Sequence, residues 1–259
     1  MTWVVGAASL GYAVGISDVR VTFKGGLEKD CLQKLYPVSR FIAIGFAGSV
    51  KIGFAMVEAL AILLREPAHG TAWIPDEVAD CFSDAAKMVF ENYPDEKKSR
   101  SHLMLLGAHP VNDSIPGNAI CSVHVLKSPD FVPELAPVGE VVSIGSGGIV
   151  ASYAATLKSF TTDPLSLMKM LQAGPTMGAL PLIHATQATV ERNPTPGISP
   201  HMHVCTVRRA FMQVSPNDED RYLPSGEKIE IRMPPVATTW SEFKRRVSAD
   251  GNSAEGAVC

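Results

Sequence analysis

Four residues near the start of the chain have types and a spacing that suit a hydrolytic site: Thr2, Asp18, Lys34 and Gly48. Asp18 and Lys34 each follow the preceding member by sixteen residues, and Gly48 comes fourteen residues after Lys34. A threonine hydroxyl is a weak nucleophile, but a free terminal amine, with a pKa of about 7.7–8.0, can take its proton near neutral pH. Because a small residue after Met1 permits removal of the methionine, Thr2 is a candidate nucleophile that carries its own base.

Each of these residues also has an ordinary interpretation when it is considered alone. Many chains carry threonine in second position, and an aspartate such as Asp18 commonly lies in a turn at a strand end. A single lysine is usually solvated, and Gly48 could simply open a helix. The regular spacing of all four residues together, however, is what distinguishes them from such isolated cases.

Two glycine-containing motifs each follow a strand-like segment and lead into a helix-like one. Gly48 lies in FAGS, and Ser146 lies in SIGSGG. Together with the four-residue spacing, these motifs resemble those of the proteasome-like β subunits, N-terminal-nucleophile hydrolases whose bacterial members include HslV, Anbu and the betaproteobacterial proteasome homologue. The resemblance extends over roughly residues 2–210.

The resemblance implies a role for each of these residues. Thr2 would be the nucleophile, Lys34 would lie beside it and keep the amine neutral, and Asp18 would pair with Lys34. The Gly48 N–H would stabilise the oxyanion, and Ser146 would hydrogen-bond near the amine. The implied activity is that of a threonine-type peptidase, which requires neither a metal nor an organic cofactor.

The same register would place four apolar residues around the pocket for the substrate side chain that precedes the cleaved bond. They are Val21, Phe46, Val50 and Phe54. Since none of them is polar, the sequence predicts a preference for apolar substrate residues at this position.

One segment departs from the family pattern, which has an aspartate, a serine three residues later and then glycine before the last strand. Residues 191–199 read ERNPTPGIS and contain no aspartate. Thr195 would replace the serine, with Arg192 or Asn193 where the acid should be. This departure predicts a less well oriented amine, and it favours the alternative of a catalytically silent ring subunit.

The order of the predicted elements indicates the fold class. Strands and helices come in blocks rather than in strict alternation, which favours an α+β fold with helices outside two stacked sheets; the resemblance implies the four-layer αββα sandwich of N-terminal-nucleophile hydrolases. The predicted strands span 2–9, 11–17, 21–25, 34–37, 40–47, 102–108, 118–126, 140–144 and 203–214. The predicted helices span 50–65, 75–93, 149–160, 165–171, 181–192 and 240–247.

The last part of the chain differs in composition from the rest. From residue 215 the sequence becomes polar and rich in proline, so we predict a hydrolase domain over 1–214 and an extension over 215–259. Residues 250–259, DGNSAEGAVC, read as a disordered tail. The extension is expected to contact a neighbouring subunit.

Composition narrows the class of protein further. A formal net charge of −3 is too weak to predict binding to nucleic acid or to an anionic membrane. The five cysteines include no CxxC pair, and His201 and His203 have no partner acids nearby, so we predict no metal site. Glycines interrupt the apolar start of the chain, and the apolar run 52–64 is too short to span a bilayer; a cytoplasmic protein is therefore expected.

A peptidase of this kind would cleave indiscriminately unless its sites were enclosed. The resemblance implies a homo-oligomeric double ring of hexamers or heptamers that degrades peptides or unfolded proteins, together with an ATPase or another activator. Three alternatives remain: a silent structural ring subunit, an amidohydrolase for small molecules, and a binding domain without enzymatic activity.

Overall fold

Strands and helices follow one another in blocks, and all the named strand pairs are antiparallel. The structure is a computed structural model that describes residues 2–9, 11–65, 73–96, 100–110, 121–162, 175–208, 211–222 and 226–259. Helices and antiparallel sheets occur together in these ranges, so the predicted α+β class is confirmed.

The described elements comprise strands, helices and a 3-10 turn. In chain order the strands are β1 (Val4–Ser9), β2 (Tyr12–Asp18), β3 (Arg20–Thr22), β4 (Glu28–Asp30), β5 (Leu35–Pro37), β6 (Ile42–Ala47), β7 (His102–Ala108), β8 (Cys121–Lys127), β9 (Pro133–Leu135), β10 (Val141–Ile144), β11 (Met202–Arg208), β12 (Phe211–Pro216), β13 (Glu219–Tyr222) and β14 (Lys228–Ile231). The helices are α1 (Val50–Leu63), α2 (Pro75–Glu91), α3 (Ala151–Thr162), α4 (Pro175–Arg192) and α5 (Trp240–Ala249), and the 3-10 turn spans Ser146–Ile149.

Two five-stranded sheets carry most of the strands. The first sheet has the order β10-β1-β2-β11-β12, and the second has the order β5-β6-β7-β8-β9. In the first sheet β1 lies between β10 and β2, with Val4 opposite Ile144 on one side and Ser17 on the other. This register brings the start of the chain close to Asp18 and to the turn that follows β10.

Three apolar clusters relate these elements to one another. One contains residues of both sheets, for example Val4 and Leu106. A second joins the second sheet to α1, α2 and α5, and it includes Phe82 and Phe243. A third joins the first sheet to α3 and α4, and it includes Tyr153. Each five-stranded sheet therefore contributes apolar side chains to two clusters, as strands buried on both faces do.

Several predicted elements differ from the structure or lie beyond its described ranges. The segment predicted as a strand over 21–25 is β3, which ends at Thr22 and pairs with β4. The single strand predicted over 203–214 is instead two paired strands, β11 and β12. The prediction missed the break because apolar residues occur in both strands and the sequence between them contains no glycine or proline. The helix predicted over 181–192 begins at Pro175, so Pro181 lies inside α4 rather than in its first turn. The helix predicted over 165–171 falls outside the described residues.

The predicted extension adds a small hairpin and a helix. The boundary predicted after residue 214 falls within β12, and β13 pairs with β14 beyond it. Helix α5 begins after Thr239, whose side chain caps it, and its Phe243 ring stacks on Phe23 at 6.2 Å. Residues 250–259, predicted to be disordered, instead contribute Ala254, Ala257 and Cys259 to the apolar cluster around α1.

Helix length and hydropathy bear on membrane insertion. Within the described ranges, every helix is too short or too polar to cross a bilayer.

Candidate active site

The pairing of β1 with β2 places Thr2 beside Asp18. Beyond the last ladder pair, the Asp18 N–H donates to the Trp3 carbonyl at 3.3 Å. In return the Trp3 N–H donates to Asp18 Oδ1 at 2.9 Å. The backbone of the strand pair therefore fixes the carboxylate next to the first residues of the chain.

Thr2, Asp18 and Lys34 form one buried hydrogen-bonded cluster. The Thr2 hydroxyl donates to Asp18 Oδ1 at 2.7 Å, and Lys34 Nζ donates to Asp18 Oδ2 at 2.9 Å. Lys34 Nζ also donates to Thr2 Oγ1. The three residues are at most 1% exposed. A buried charge needs such a partner, since desolvation alone would strongly disfavour it.

The Asp18 carboxylate accepts from four groups. Oδ1 accepts from the Thr2 hydroxyl and the Trp3 N–H, and Oδ2 accepts from Lys34 and from the Arg20 N–H at 2.9 Å. A carboxylate with this many donors is held in one orientation. Asp18 therefore fixes both the hydroxyl of Thr2 and the ammonium of Lys34.

The turn after β10 contacts Thr2 through both its nitrogen and its carbonyl. The Thr2 N–H donates to Ser146 Oγ at 3.1 Å, and the Gly147 N–H donates to the Thr2 carbonyl at 2.9 Å. Gly145 has φ 85°, and a Cβ there would lie 2.6 Å from Thr2 atoms. Only glycine fits this close approach. While Met1 is attached, the Thr2 nitrogen is an amide; removal of Met1 would make it an amine in the same position.

Gly48 lies where β6 ends and α1 is about to begin. It has φ 112°, and a Cβ at this residue would lie 1.9 Å from the Arg100 carbonyl oxygen. Ser49 then caps the helix by accepting from the Ile52 N–H. The Gly48 N–H donates at 2.7 Å to the main-chain oxygen of Cys259, so it already has an acceptor from the chain itself.

A cleft adjoins these residues. Its lining includes Gly48, His102, Ser146, Ile149 and Cys259. Burial, followed by the charges of nearby basic side chains, lowers the pKa of His102. Ile149 is 86% exposed, so an apolar side chain is available at the rim of the cleft.

The four residues predicted to border the substrate pocket lie in the apolar cluster around α1, together with Cys259. These residues are Val21, Phe46, Val50 and Phe54, and each is buried. The Phe46 and Phe54 rings are 5.8 Å apart, and Tyr36 is within 6.0 Å of both. They pack inside this core, whereas the lining of the cleft described above consists of other residues.

Thr195 lies in the loop after α4. Its hydroxyl donates to the Asn193 carbonyl at 3.2 Å, so it bonds its own loop rather than Thr2. The Tyr153 hydroxyl donates to the same carbonyl at 2.9 Å, and the Tyr153 ring lies 4.5 Å from that of Trp3. The loop therefore reaches the start of the chain through two aromatic rings.

Residues that sequence reasoning missed support the cluster from behind. Asp30 accepts from Arg20 Nε at 2.6 Å and from the Ser199 hydroxyl at 2.6 Å. Burial opposes ionisation of Asp30, but the hydrogen bonds from Arg20 and Ser199 outweigh it and lower its pKa. Arg20 in turn donates its N–H to Asp18. In the sequence, the opposite charges of Arg20 and Asp30 are the signal for this pairing.

His203, on β11 opposite Ser17, has a pKa of about 4, because burial disfavours its charged form. Nearby Asp218 partly opposes this shift, and Lys34 adds to it. Among the described residues, no group of three or more histidine, cysteine or acidic side chains could hold a metal ion.

Comparisons with known proteins assign no family to the chain. No protein-family model matches it, and no curated protein is significantly similar to it. The interpretation of the site therefore depends on the geometry of Thr2 and its neighbours.

Proposed function

We propose that this chain is a threonine-type endopeptidase subunit of a proteasome-like particle, with the αββα sandwich of N-terminal-nucleophile hydrolases. The observation that supports the proposal best is the buried cluster of Thr2, Asp18 and Lys34, with Ser146 on the Thr2 nitrogen. A threonine hydroxyl needs an adjacent base before it can act as a nucleophile. Thr2 would carry that base once Met1 is removed, and Lys34 and Ser146 already contact its hydroxyl and its nitrogen.

The proposed reaction begins once Met1 has been removed. The Thr2 amine takes the hydroxyl proton as Thr2 Oγ1 attacks the substrate carbonyl, and the Gly48 N–H stabilises the oxyanion. The protonated amine then gives its proton to the leaving amine, and the carbonyl carbon remains as an ester on Thr2. Water, deprotonated by the same amine, hydrolyses the ester and restores the free threonine.

Lys34 and Asp18 serve this reaction by charge and by position. The Lys34 ammonium disfavours a second positive charge nearby, so it keeps the Thr2 amine neutral and able to accept a proton. It also contacts Thr2 Oγ1, where negative charge develops during attack. Asp18 neutralises the buried ammonium and holds it in place.

An enclosed assembly is part of the proposal. Ile62 and Leu63 on α1 are 63% and 42% exposed, and Met88 on α2 is 69% exposed. Exposed apolar side chains on neighbouring helices suit contacts between copies of the chain. We infer a homo-oligomeric double ring of hexamers or heptamers that acts on peptides or unfolded proteins, with an ATPase or another activator supplying them.

The decisive experiment tests whether Thr2 becomes the first residue of the chain and acts as the nucleophile. The intact mass of the chain should show that Met1 has been lost. A peptide epoxyketone, which reacts with the hydroxyl and amine of a terminal threonine, should add the mass of one inhibitor molecule to each chain. Thr2→Ala should abolish peptidase activity, by about 10³-fold or more, whereas Thr2→Ser should retain a measurable part. Products from a peptide mixture should end in apolar residues, as the apolar types of Val21, Phe46, Val50 and Phe54 predict.

The same experiment has clear contrary results. Retained activity in Thr2→Ala would exclude the proposed nucleophile. Cleavage mainly after acidic residues would contradict the proposed pocket.

One observation favours a second candidate, a silent structural subunit of a ring. Thr195, which would replace the serine of the family pattern, bonds its own loop instead of Thr2. An intact Met1 and no labelling by the epoxyketone would favour the silent subunit. An active monomer or dimer with an open cleft would instead favour a small-molecule amidohydrolase.

A further inference from the structure

Within the segment 257–259, Val258 forms backbone hydrogen bonds with β3. The Thr22 N–H donates to the Val258 carbonyl at 2.9 Å, and the Val258 N–H donates to the Thr22 carbonyl at 3.0 Å. This reciprocal pair is the bonding of an antiparallel ladder. Val258 is thus bridged to the last residue of β3.

The opposite edge of the same segment bonds to the junction between β6 and α1. The Gly48 N–H donates to the Cys259 carbonyl at 2.7 Å, and the Cys259 N–H donates to the Gly48 carbonyl at 2.8 Å. The Val50 N–H donates to the Ala257 carbonyl at 3.1 Å. Bonds on both edges seat the segment in the groove between β3 and the junction of β6 with α1, as in peptide recognition by strand addition.

The Cys259 side chain occupies the apolar side of this groove. Cys259 is 6% exposed, belongs to the cluster that contains Phe46 and Phe54, and contacts the Gly48 carbonyl through Sγ at 3.5 Å. Burial raises the pKa of its thiol to about 11, and the charges of Lys34 and Asp18 also act on it. The thiol is therefore buried in the apolar cluster rather than exposed to solvent.

Polar contacts anchor the residues that lead into the groove. The Gly256 N–H donates to Glu96 Oε1 at 3.0 Å, and Glu96 Oε2 accepts from the Ser49 hydroxyl at 2.9 Å. Lys51 pairs with Glu255 at 2.8 Å. These contacts therefore fix the residues that precede the segment, in addition to the segment itself.

We propose that residues 254–259 are a tethered occupant of the substrate groove, which keeps the site closed until they are displaced. The inference rests on the proposed function, because the Gly48 N–H that would bind the oxyanion already binds the Cys259 carbonyl. A substrate strand and this segment need the same N–H groups, so they exclude each other. A tether also gives the occupant an effective concentration on the order of millimolar, which a dilute peptide cannot match.

Alkylation of Cys259 measures whether the segment leaves the groove, independently of catalysis. In the full chain, Cys259 should react with iodoacetamide at least about tenfold more slowly than the exposed Cys81, as followed by peptide mass spectrometry. Val258→Pro removes the N–H that Thr22 accepts, and it should bring the Cys259 rate close to that of Cys81. Val258→Ala keeps this N–H and is the matched control, with little change expected. A wild-type Cys259 that reacts as fast as Cys81 would overturn the inference.

Peptide binding tests the vacated groove. A fluorescent peptide with the sequence of residues 253–259 should bind Val258→Pro saturably, and it should bind the full wild-type chain at least about tenfold more weakly. A chain that stops at Ser253 should behave like Val258→Pro. Equal binding to wild type and to both altered chains would contradict an occupied groove.

Peptidase assays then separate this inference from the proposed function. Val258→Pro should lower KM by about tenfold or more relative to Val258→Ala and leave kcat nearly unchanged, because only access differs. If the groove opens by alkylation and by peptide binding but no variant cleaves peptides, the proposed function fails and the tethered occupant stands. If Val258→Pro instead unfolds the chain, as judged by circular dichroism, and the Ser253-terminated chain also unfolds, the segment is a structural strand and the inference is wrong.

Discussion

Two clusters of charge in this molecule contain similar groups in opposite surroundings. Lys34 and Asp18 are joined at 2.9 Å with both side chains fully buried. On the hairpin of β13 and β14, Lys228 contacts Asp220 at 3.0 Å, but these side chains are 39% and 42% exposed. Arg232 and Glu230 extend the hairpin network at similar exposure.

The difference in burial decides what each cluster can do. In water the hairpin charges are screened and well solvated without their partners, so their pairs add little to folding. Removing one buried partner leaves the other charge with no solvent to replace it. The hairpin has more ion pairs, yet the single pair beneath Thr2 should dominate the stability and the chemistry.

The largest effect is expected from Lys34→Met, which keeps the length of the side chain and removes its charge. Asp18 would remain buried without its cation, and the folded state should lose about 3–5 kcal/mol. Urea unfolding followed by tryptophan fluorescence would measure the loss. Peptidase activity should fall to background, because Thr2 Oγ1 loses its contact with the ammonium.

A double variant tests whether the loss comes from the unpaired charge. Asp18→Asn keeps an oxygen for the Trp3 N–H and removes the remaining charge. In Lys34→Met with Asp18→Asn, about half or more of the lost stability should return, while activity stays absent. If the stability lost in the double variant equals the sum of the losses in Lys34→Met and Asp18→Asn, charge pairing is not the cause.

His203 provides the next largest effect, through pH. Its pKa is about 4 in the folded chain because of burial, whereas an unfolded histidine titrates near 6.5. Between about pH 4 and pH 6.5 the unfolded chain binds a proton at this histidine that the folded chain does not. The contribution of His203 to the free energy of unfolding is therefore fully present above about pH 6.5 and is lost as the pH falls toward 4. The contribution is on the order of 3 kcal/mol.

The variant His203→Gln isolates this contribution, since carboxylates also weaken folding in acid. Urea unfolding at pH 7 and at pH 4.5 should give a smaller difference for the variant than for the wild type. The neighbouring charges, Asp218 and Lys34, remain in both chains. The same pH difference in both would exclude His203 as the source.

The sequence was informative about the site because strand pairing converts spacing into contact. Thr2 and Asp18 lie sixteen residues apart, and a tight turn between two apolar strands returns the chain to its start. Lys34 adds a buried cation just before β5. The strand pattern alone gives no reason for a threonine, an aspartate and a lysine to recur at this spacing, so a shared site was the simplest interpretation.

Other features depended on contacts that sequence patterns do not report. The tail DGNSAEGAVC is small and polar, which predicts disorder, but its backbone groups bond to both walls of a groove. Backbone hydrogen bonds leave no signature in side-chain type. The pairing of β11 with β12 was missed for a related reason, because both strands contain apolar residues and the sequence between them has no glycine or proline.

The smallest effect is expected on the exposed hairpin, and it completes the comparison. Lys228→Gln removes a cation that contacts both Asp220 and Glu230. Its side chain is solvated and the remaining carboxylates keep Arg232 as a partner, so the Tm should stay within the error of differential scanning calorimetry. Added salt should change the Tm of the variant and of the wild type equally. A loss as large as that of Lys34→Met would mean that burial does not separate the two clusters, because the same type of substitution would then act alike in water and in the core.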